Sequence, residues 1–312
     1  MKIIDIHTHG IGGYDTRATT EEHILKIAEI QGACGVSDIL LAIYPSSIHG
    51  MREYMRTVRK AMEIQRSSVP GHPSGSIDQN TSKKKIPAGL IPDDCCPATI
   101  AGIYLEGPFL NPLRCGALGA ESCIEPTEDV FRELSEGFED IIKIITIAPE
   151  MHGALRLTRK ISDMGILVSM GHSDATYAES EQGFRAGAKG VTHIFNAMRG
   201  FHHREPGLAG FGMSNQDVYI EIIADPFHLH ERLIDLVFKM KNPEKIIIIS
   251  DTVKETDEGN RISGVRDDRG KLLGGSMPVT ESAKRLVRQG YDEEVIMRCI
   301  TENPRAYLSH PR

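Results

Sequence analysis

The feature that most constrains this chain is a recurring pair: a short, almost wholly apolar run rich in Ile and Val, then a stretch with helical periodicity. Eight such runs occur, at Ile3–His7, Asp38–Tyr44, Ala101–Glu106, Ile142–Ala148, Ile166–Gly171, Gly190–Phe195, Val218–Ala224 and Lys245–Ser250. Near-continuous hydrophobicity over four to eight residues marks a strand buried on both faces. Between the runs, Thr20–Gln31, Met51–Gln65, Glu128–Gly137, His152–Met164, Ala175–Ala186, Leu229–Met240 and Val279–Gly290 carry apolar residues at helical spacing among charges. Strands alternating with helices imply parallel pairing through right-handed crossovers. Eight such units favour a closed (β/α)8 TIM barrel over an open sheet, and 312 residues suit one such barrel spanning residues 1–312.

Two stretches break the alternation. Ser67–Pro97 is rich in Ser, Pro, Gly and Lys and reads as a long surface loop inserted between the second and third strands. Asp251–Leu273, charged and glycine-rich, follows the eighth strand and reads as an active-site loop. Lys plus Arg is 36 against 43 for Asp plus Glu, a net charge of −7 with no basic stripe, so no nucleic-acid partner is expected. No apolar run reaches the roughly 18 residues of a membrane span, so no membrane partner is expected either. The start Met1-Lys2-Ile3-Ile4-Asp5-Ile6-His7 places charge and histidine too early for a secretory signal. The six cysteines are scattered, two of them adjacent, and read as reduced thiols of a cytoplasmic protein.

In a barrel of this kind the chemistry sits at the C-terminal ends of the strands. The first run closes on His7-Thr8-His9, the third on Glu106, the fifth on His172; the sixth carries His193 and the eighth leads into Asp251. Four histidines and two carboxylates therefore converge on one rim, a ligand set that suits a divalent metal. Residues two apart on an extended strand point the same way, so His7 and His9 can reach one ion together. Taken singly, each has a plainer reading: His172 or His193 as a satisfied core histidine, Asp251 as a cap or surface acid. The joint pattern favours a metal centre.

Longer segments then carry a family resemblance. They are Asp5-Ile-His-Thr-His-Gly10, Leu105-Glu-Gly-Pro-Phe-Leu-Asn111, Ile147-Ala-Pro-Glu150, Gly171-His-Ser-Asp-Ala-Thr176, Thr192-His-Ile-Phe-Asn-Ala-Met198, Arg204-Glu-Pro-Gly-Leu-Ala-Gly210, Ile223-Ala-Asp-Pro-Phe-His228, Ser250-Asp-Thr252 and Thr301-Glu-Asn-Pro304. In this order the sequence resembles the amidohydrolase superfamily and, more narrowly, the N-acetylglucosamine-6-phosphate deacetylases. The resemblance implies removal of the N-acetyl group of N-acetylglucosamine 6-phosphate, giving glucosamine 6-phosphate and acetate. It implies one or two divalent ions, zinc or ferrous iron first, with manganese and cobalt compatible. His7 and His9 would bind one ion, His172 and His193 the other, and Glu106 would bridge or anchor them. Asp251 would coordinate metal and shuttle the proton from water to the leaving amine. Asn196, Ala197, Arg204 and His228 would receive the phosphate, with Arg204 able to act on a neighbouring subunit of a homodimer.

Departures from that pattern qualify the substrate. Leu118, in Leu113-Arg-Cys-Gly-Ala-Leu-Gly119, stands where the family carries a histidine that polarises the scissile carbonyl. A different N-acyl group or sugar phosphate is thus a rival reading, and a catalytically retired sugar-phosphate-binding barrel another. The first strand begins at Ile3 and the chain stops at Arg312, which leaves no segments for the small β-sandwich of typical relatives. A barrel without a sandwich domain is the expectation.

Overall fold

The computed structural model describes residues 2–17, 19–67, 96–257, 259 and 263–309. Eight parallel strands run in chain order around one sheet: β1 (Ile4–Thr8), β2 (Asp38–Ile43), β3 (Thr99–Leu105), β4 (Ile142–Ile147), β5 (Leu167–Met170), β6 (Gly190–Val191), β7 (Tyr219–Ile223) and β8 (Ile246–Ile249). Helices lie between successive strands outside this nearly closed (β/α)8 barrel.

The hydrophobic runs are nearly continuous because most strands feed two cores. Ile4, Ile6, Leu40, Ala42, Tyr104, Ile144, Tyr219, Ile223, Ile247 and Ile249 fill the barrel interior. Their neighbours Ile39, Leu41, Ile43, Ile103, Ile145, Ile220, Ile246 and Ile248 pack outward beneath the helices. Alternate side chains on a strand point to opposite faces, so a strand buried on both is apolar at most positions. Tyr307, on the last helix (Glu302–Leu308), joins the interior cluster and its ring lies 4.8 Å from that of Tyr219.

No β1–β8 ladder is formed within the strands; the seam is joined at the rim by the segments that follow them. The Asp251 N–H donates to the His7 carbonyl (2.9 Å), and those of His9 and Gly10 donate to the Thr252 carbonyl (2.8 and 3.0 Å). The buried Asp5 carboxylate accepts from the N–H groups of His7 and Ser250, one on each side of the seam. The Gln31 amide adds bonds to the hydroxyls of Thr8 and Thr252.

Two expectations need correction. The sixth run is a strand only over Gly190–Val191, not to Phe195. Ile194 and Phe195 are apolar because they pack in the core, not because they extend; the backbone has already turned, with φ of 29° at His193 and 75° at Phe195. The sixth crossover, for which no helical period was legible, contains a helix at Gly207–Ser214. With three glycines in eight residues it has poor intrinsic propensity, and it forms because seven of the eight are buried. The Ser67–Pro97 loop falls almost entirely outside the described residues, at 68–95. Among the described residues no helix is long and apolar enough to cross a membrane, and Cys34, Cys96, Cys115, Cys123 and Cys299 form no disulfide.

One buried cation makes the fold sensitive to pH. Lys241, following the helix Glu231–Met240, donates to the carbonyls of Gly212 (2.9 Å) and Asn215, and burial pushes its pKa down from 10.5 to about 7. Between those values the unfolded chain binds the proton more readily than the folded one, so this group makes stability rise with pH. The unfolding free energy of the wild type relative to Lys241→Met, measured by denaturant titration, should therefore increase from pH 7 to pH 10, by up to about 1.4 kcal/mol per pH unit. Parallel curves for the two proteins would show that the amine stays charged in the fold.

Candidate active site

Where the strands end, the backbone turns sharply to aim polar side chains at the barrel axis. Among the described residues, His172, His193, Phe195, Ala197 and Asp251 are the non-glycine residues with positive φ, between 29° and 75°. Such conformations cost of the order of 1–3 kcal/mol each and persist where the surroundings hold them. The supports are visible here. The Glu150 carboxylate, at the end of Ile147-Ala-Pro-Glu150, accepts from the Ser173 hydroxyl (2.7 Å), the Asp174 N–H (2.6 Å) and the Asn111 amide (2.9 Å). It thereby pins the turn bearing His172. At Asp251, the Gly275 N–H donates to the Asp251 carbonyl at 2.7 Å.

The six rim residues expected from sequence meet. Glu106 is the hub: Oε1 lies 3.0 Å from His172 Nε2 and 3.1 Å from His193 Nε2, and Oε2 lies 3.1 Å from His9 Nε2. His7 and His9 bring their Nε2 atoms to 3.3 Å, and Asp251 Oδ1 is 3.6 Å and 3.5 Å from them. The His172 and His193 Nε2 atoms are 3.0 Å apart. His172 Nδ1 faces the Arg114 carbonyl at 3.1 Å; a carbonyl only accepts, so this nitrogen carries the proton and Nε2 presents its lone pair. Two triads, His7–His9–Asp251 and Glu106–His172–His193, thus each converge on one point.

The electrostatics fit cation binding. Burial works to raise the Glu106 pKa, but His9, His172 and His193 outweigh it and hold the carboxyl well below its usual range. Burial lowers the His7 pKa well below the ordinary value, keeping the imidazole neutral. Burial, with Glu106 close by, raises Asp251 well above the usual carboxylate range. Nitrogens on one tetrahedral ion at about 2.0–2.1 Å lie roughly 3.3 Å from each other, close to the spacings in both histidine pairs. Neutral imidazoles and carboxylate oxygens are the donors that zinc, ferrous iron, manganese and cobalt share.

A cavity of about 340 Å³ opens above the cluster. His9, Glu106, His172, His193 and Asp251 line it, while His7 is fully buried behind them. Asn196, Ala197 and His228 also line it. The Asn196 side chain is tied to the carbonyls of His193 and Ile194, and His228 Nδ1 is anchored 3.0 Å from Asp225. Burial of Asp225 is outweighed by His228 and by backbone N–H donors, which lower its pKa to about 2. Arg204 is not brought to this cavity; it is exposed, with a guanidinium nitrogen 3.3 Å from His203 Nε2. His152, which follows the fourth strand's tip, is likewise exposed and outside the cavity. Leu118 stands in the wall.

No family model matches the chain. It is 38% identical over 253 residues to an N-acetylglucosamine-6-phosphate deacetylase of Bacillus subtilis (strain 168), covering 81% of this chain and 57% of that one. It is 28% identical over 271 residues to an N-acetylgalactosamine-6-phosphate deacetylase of Escherichia coli O157:H7, covering 87% and 62%. The chain is homologous to the N-acetylglucosamine-6-phosphate deacetylases. It spans between half and two thirds of the length of these deacetylase relatives. The barrel is theirs too: a mutant deacetylase of Mycobacterium smegmatis, solved with N-acetyl-D-glucosamine-6-phosphate, superposes with a TM-score of 0.80 at 23% identity over 98% of this chain and 77% of that one.

Several residues of the site escaped the sequence reading. Tyr44 stacks on the His9 ring (centroids 3.8 Å apart), and burial raises its phenol pKa well above 10, so it remains a donor. Arg266 and Lys271, from the hairpin Val265–Arg266 and Leu272–Gly274, place cations in the wall. Tyr44 is a lone tyrosine just past the end of a strand, and loop cations carry no period, so only the fold identifies them. Gly275 is also functional in this sense: a Cβ there would lie 1.8 Å from the Ser250 carbonyl oxygen. Gly275→Ala should displace Asp251 and cut zinc retention at least about tenfold in a chelator titration. Unchanged retention would show that the Ser250–Thr252 turn yields without moving the ligand.

Proposed function

We propose that this barrel is a metal-dependent amidohydrolase that removes the N-acetyl group of an amino-sugar phosphate, N-acetylglucosamine 6-phosphate foremost. The observation that carries this reading is the pair of buried triads sharing one cavity floor, with Glu106 touching histidines of both. The names of the curated relatives support the substrate class. His7, His9, Glu106, His172, His193 and Asp251 would hold one or two divalent ions. A divalent cation in such a site supplies Lewis acidity and makes water a nucleophile near neutral pH.

The remaining chemistry belongs to the chain. Asp251 Oδ1, between the two histidine donors of its triad and facing the cavity, takes a proton from the attacking water and returns it to the departing amine nitrogen. Asn196, Ala197 and His228 bind the phosphate end, His228 oriented by Asp225. Arg204 reaches a neighbouring copy's cavity from its exposed loop, which makes the working unit a homodimer. The planar guanidinium suits a phosphate through paired N–H donors. The reduced thiols fit a cytoplasmic enzyme. A second reading, another N-acyl group or sugar phosphate, is favoured by one observation: Leu118 offers no donor at the wall.

The first test is acetate release from N-acetylglucosamine 6-phosphate by protein reconstituted separately with zinc, ferrous iron and manganese. Turnover with any of them supports the reading; none, in protein shown to carry ions, moves the search to other acyl groups and sugars. With metal supplied at saturating concentration, Asp251→Asn should show a kcat lower by roughly 10²–10⁴. Near-normal turnover in that variant would sink the proton-transfer role. Arg204→Ala should raise KM about tenfold or more for the phosphorylated substrate and little for its dephosphorylated analogue. An equal effect on both would remove Arg204 from phosphate recognition.

A further inference from the structure

Glu221 lies mid-way along β7, flanked by Ile220 and Ile222, and is only 1% exposed. A carboxylate in the interior of an Ile-lined barrel is costly unless its oxygens find partners. One oxygen has them. Oε1 accepts from the Tyr104 hydroxyl at 3.1 Å, and Tyr104 is held in turn by the hydroxyls of Thr192 (2.8 Å) and Thr146 (3.2 Å). The other oxygen, Oε2, has no hydrogen-bond partner. Neither does Nδ1 of His7, and these two buried atoms lie 3.5 Å apart. The Tyr104 ring packs on that of His7, with centroids 4.4 Å apart. The main-chain carbonyl of Glu221 accepts from the Ile194 N–H at 2.8 Å, beside His193.

The two triads are therefore supported from behind in parallel fashion. In one, the Arg114 carbonyl fixes the tautomer of His172. In the other, the atom placed to do so for His7 is Glu221 Oε2. We propose that Glu221 is a positioning residue of the metal centre: it takes the Nδ1 proton of His7 in a hydrogen bond and leaves Nε2 to donate its lone pair to the cation held with His9 and Asp251. This rests on the reading of those residues as ligands. A carboxylate behind a ligating imidazole fixes its orientation and raises its basicity, and losing such a partner typically lowers metal affinity 10–100-fold. The Tyr104–Thr192–Thr146 cluster has a role in the same scheme, since it holds the carboxylate that holds the histidine.

The test is a zinc titration of the full chain against a competing chromophoric chelator, with melting curves of the metal-free and zinc-loaded forms. Glu221→Gln should weaken one class of zinc site by about tenfold and Glu221→Leu by up to about a hundredfold, with the other class unchanged. The metal-free melting temperatures should stay close to wild type while the zinc-induced rise shrinks. In a His7→Ala background, Glu221→Gln should add no further loss of zinc affinity. If the Glu221 variants fail to fold, Tyr104→Phe, which releases Oε1, gives a second measure and should weaken the same class of site. Zinc affinity unchanged in these variants, or melting temperatures lowered equally in both forms, would overturn the proposal in favour of a purely structural role. A wild-type chain that binds no zinc, ferrous iron or manganese would overturn the ligand reading itself, and this one with it.

Discussion

The contact on which the centre depends is the Glu106 carboxylate set among three imidazole nitrogens at 3.0–3.1 Å. A buried carboxylate is tolerated only where positive charge or strong donors surround it. Glu106 is ringed by histidines from three separate strand ends, so the arrangement exists only in the closed barrel; with His172 Nε2 presenting a lone pair, a bound cation would supply the positive charge that the cluster calls for. The reverse holds as well. With Glu106 neutralised or absent, His172 and His193 would face each other at 3.0 Å without the group that draws them together.

Closure itself comes from the same part of the molecule. The β1–β8 seam is joined by the Asp251, His9 and Gly10 N–H groups and by Asp5, all within two residues of a rim ligand. Function and fold therefore share hydrogen bonds at the mouth, while the floor is built from apolar contacts around Tyr307 and Tyr219. This division matches the general rule that barrel chemistry gathers at the C-terminal face and stability at the other.

Much of this was legible in the sequence for a definite reason. Strands buried on both faces leave continuous Ile and Val runs, and the residue that ends a run must emerge at the rim. Hence His7, His9, Glu106, His172, His193 and Asp251 could be placed together without coordinates. What escaped was whatever broke that logic. Gly190–Phe195 looks like one strand because burial and extension write the same pattern; only φ separates Val191 from His193. The helix at Gly207–Ser214 exists through packing that its glycines conceal. Glu221 was hidden in plain apolar surroundings, since a single acid within Tyr-Ile-Glu-Ile-Ile carries no period of its own. Arg204 was legible as a candidate, yet the fold of one chain leaves it on the surface.

The left-handed turns have a consequence beyond holding ligands. His172, His193 and Asp251 occupy backbone conformations in which glycine would be more at ease. Sequence drift toward a more stable barrel would therefore act first against the donors themselves. On the proposed function, selection for activity would be what opposes that drift. A relative freed from that selection would be expected to lose His172, His193 and Asp251 to glycine and gain stability as it did so, a trade between robustness and activity written into three φ angles.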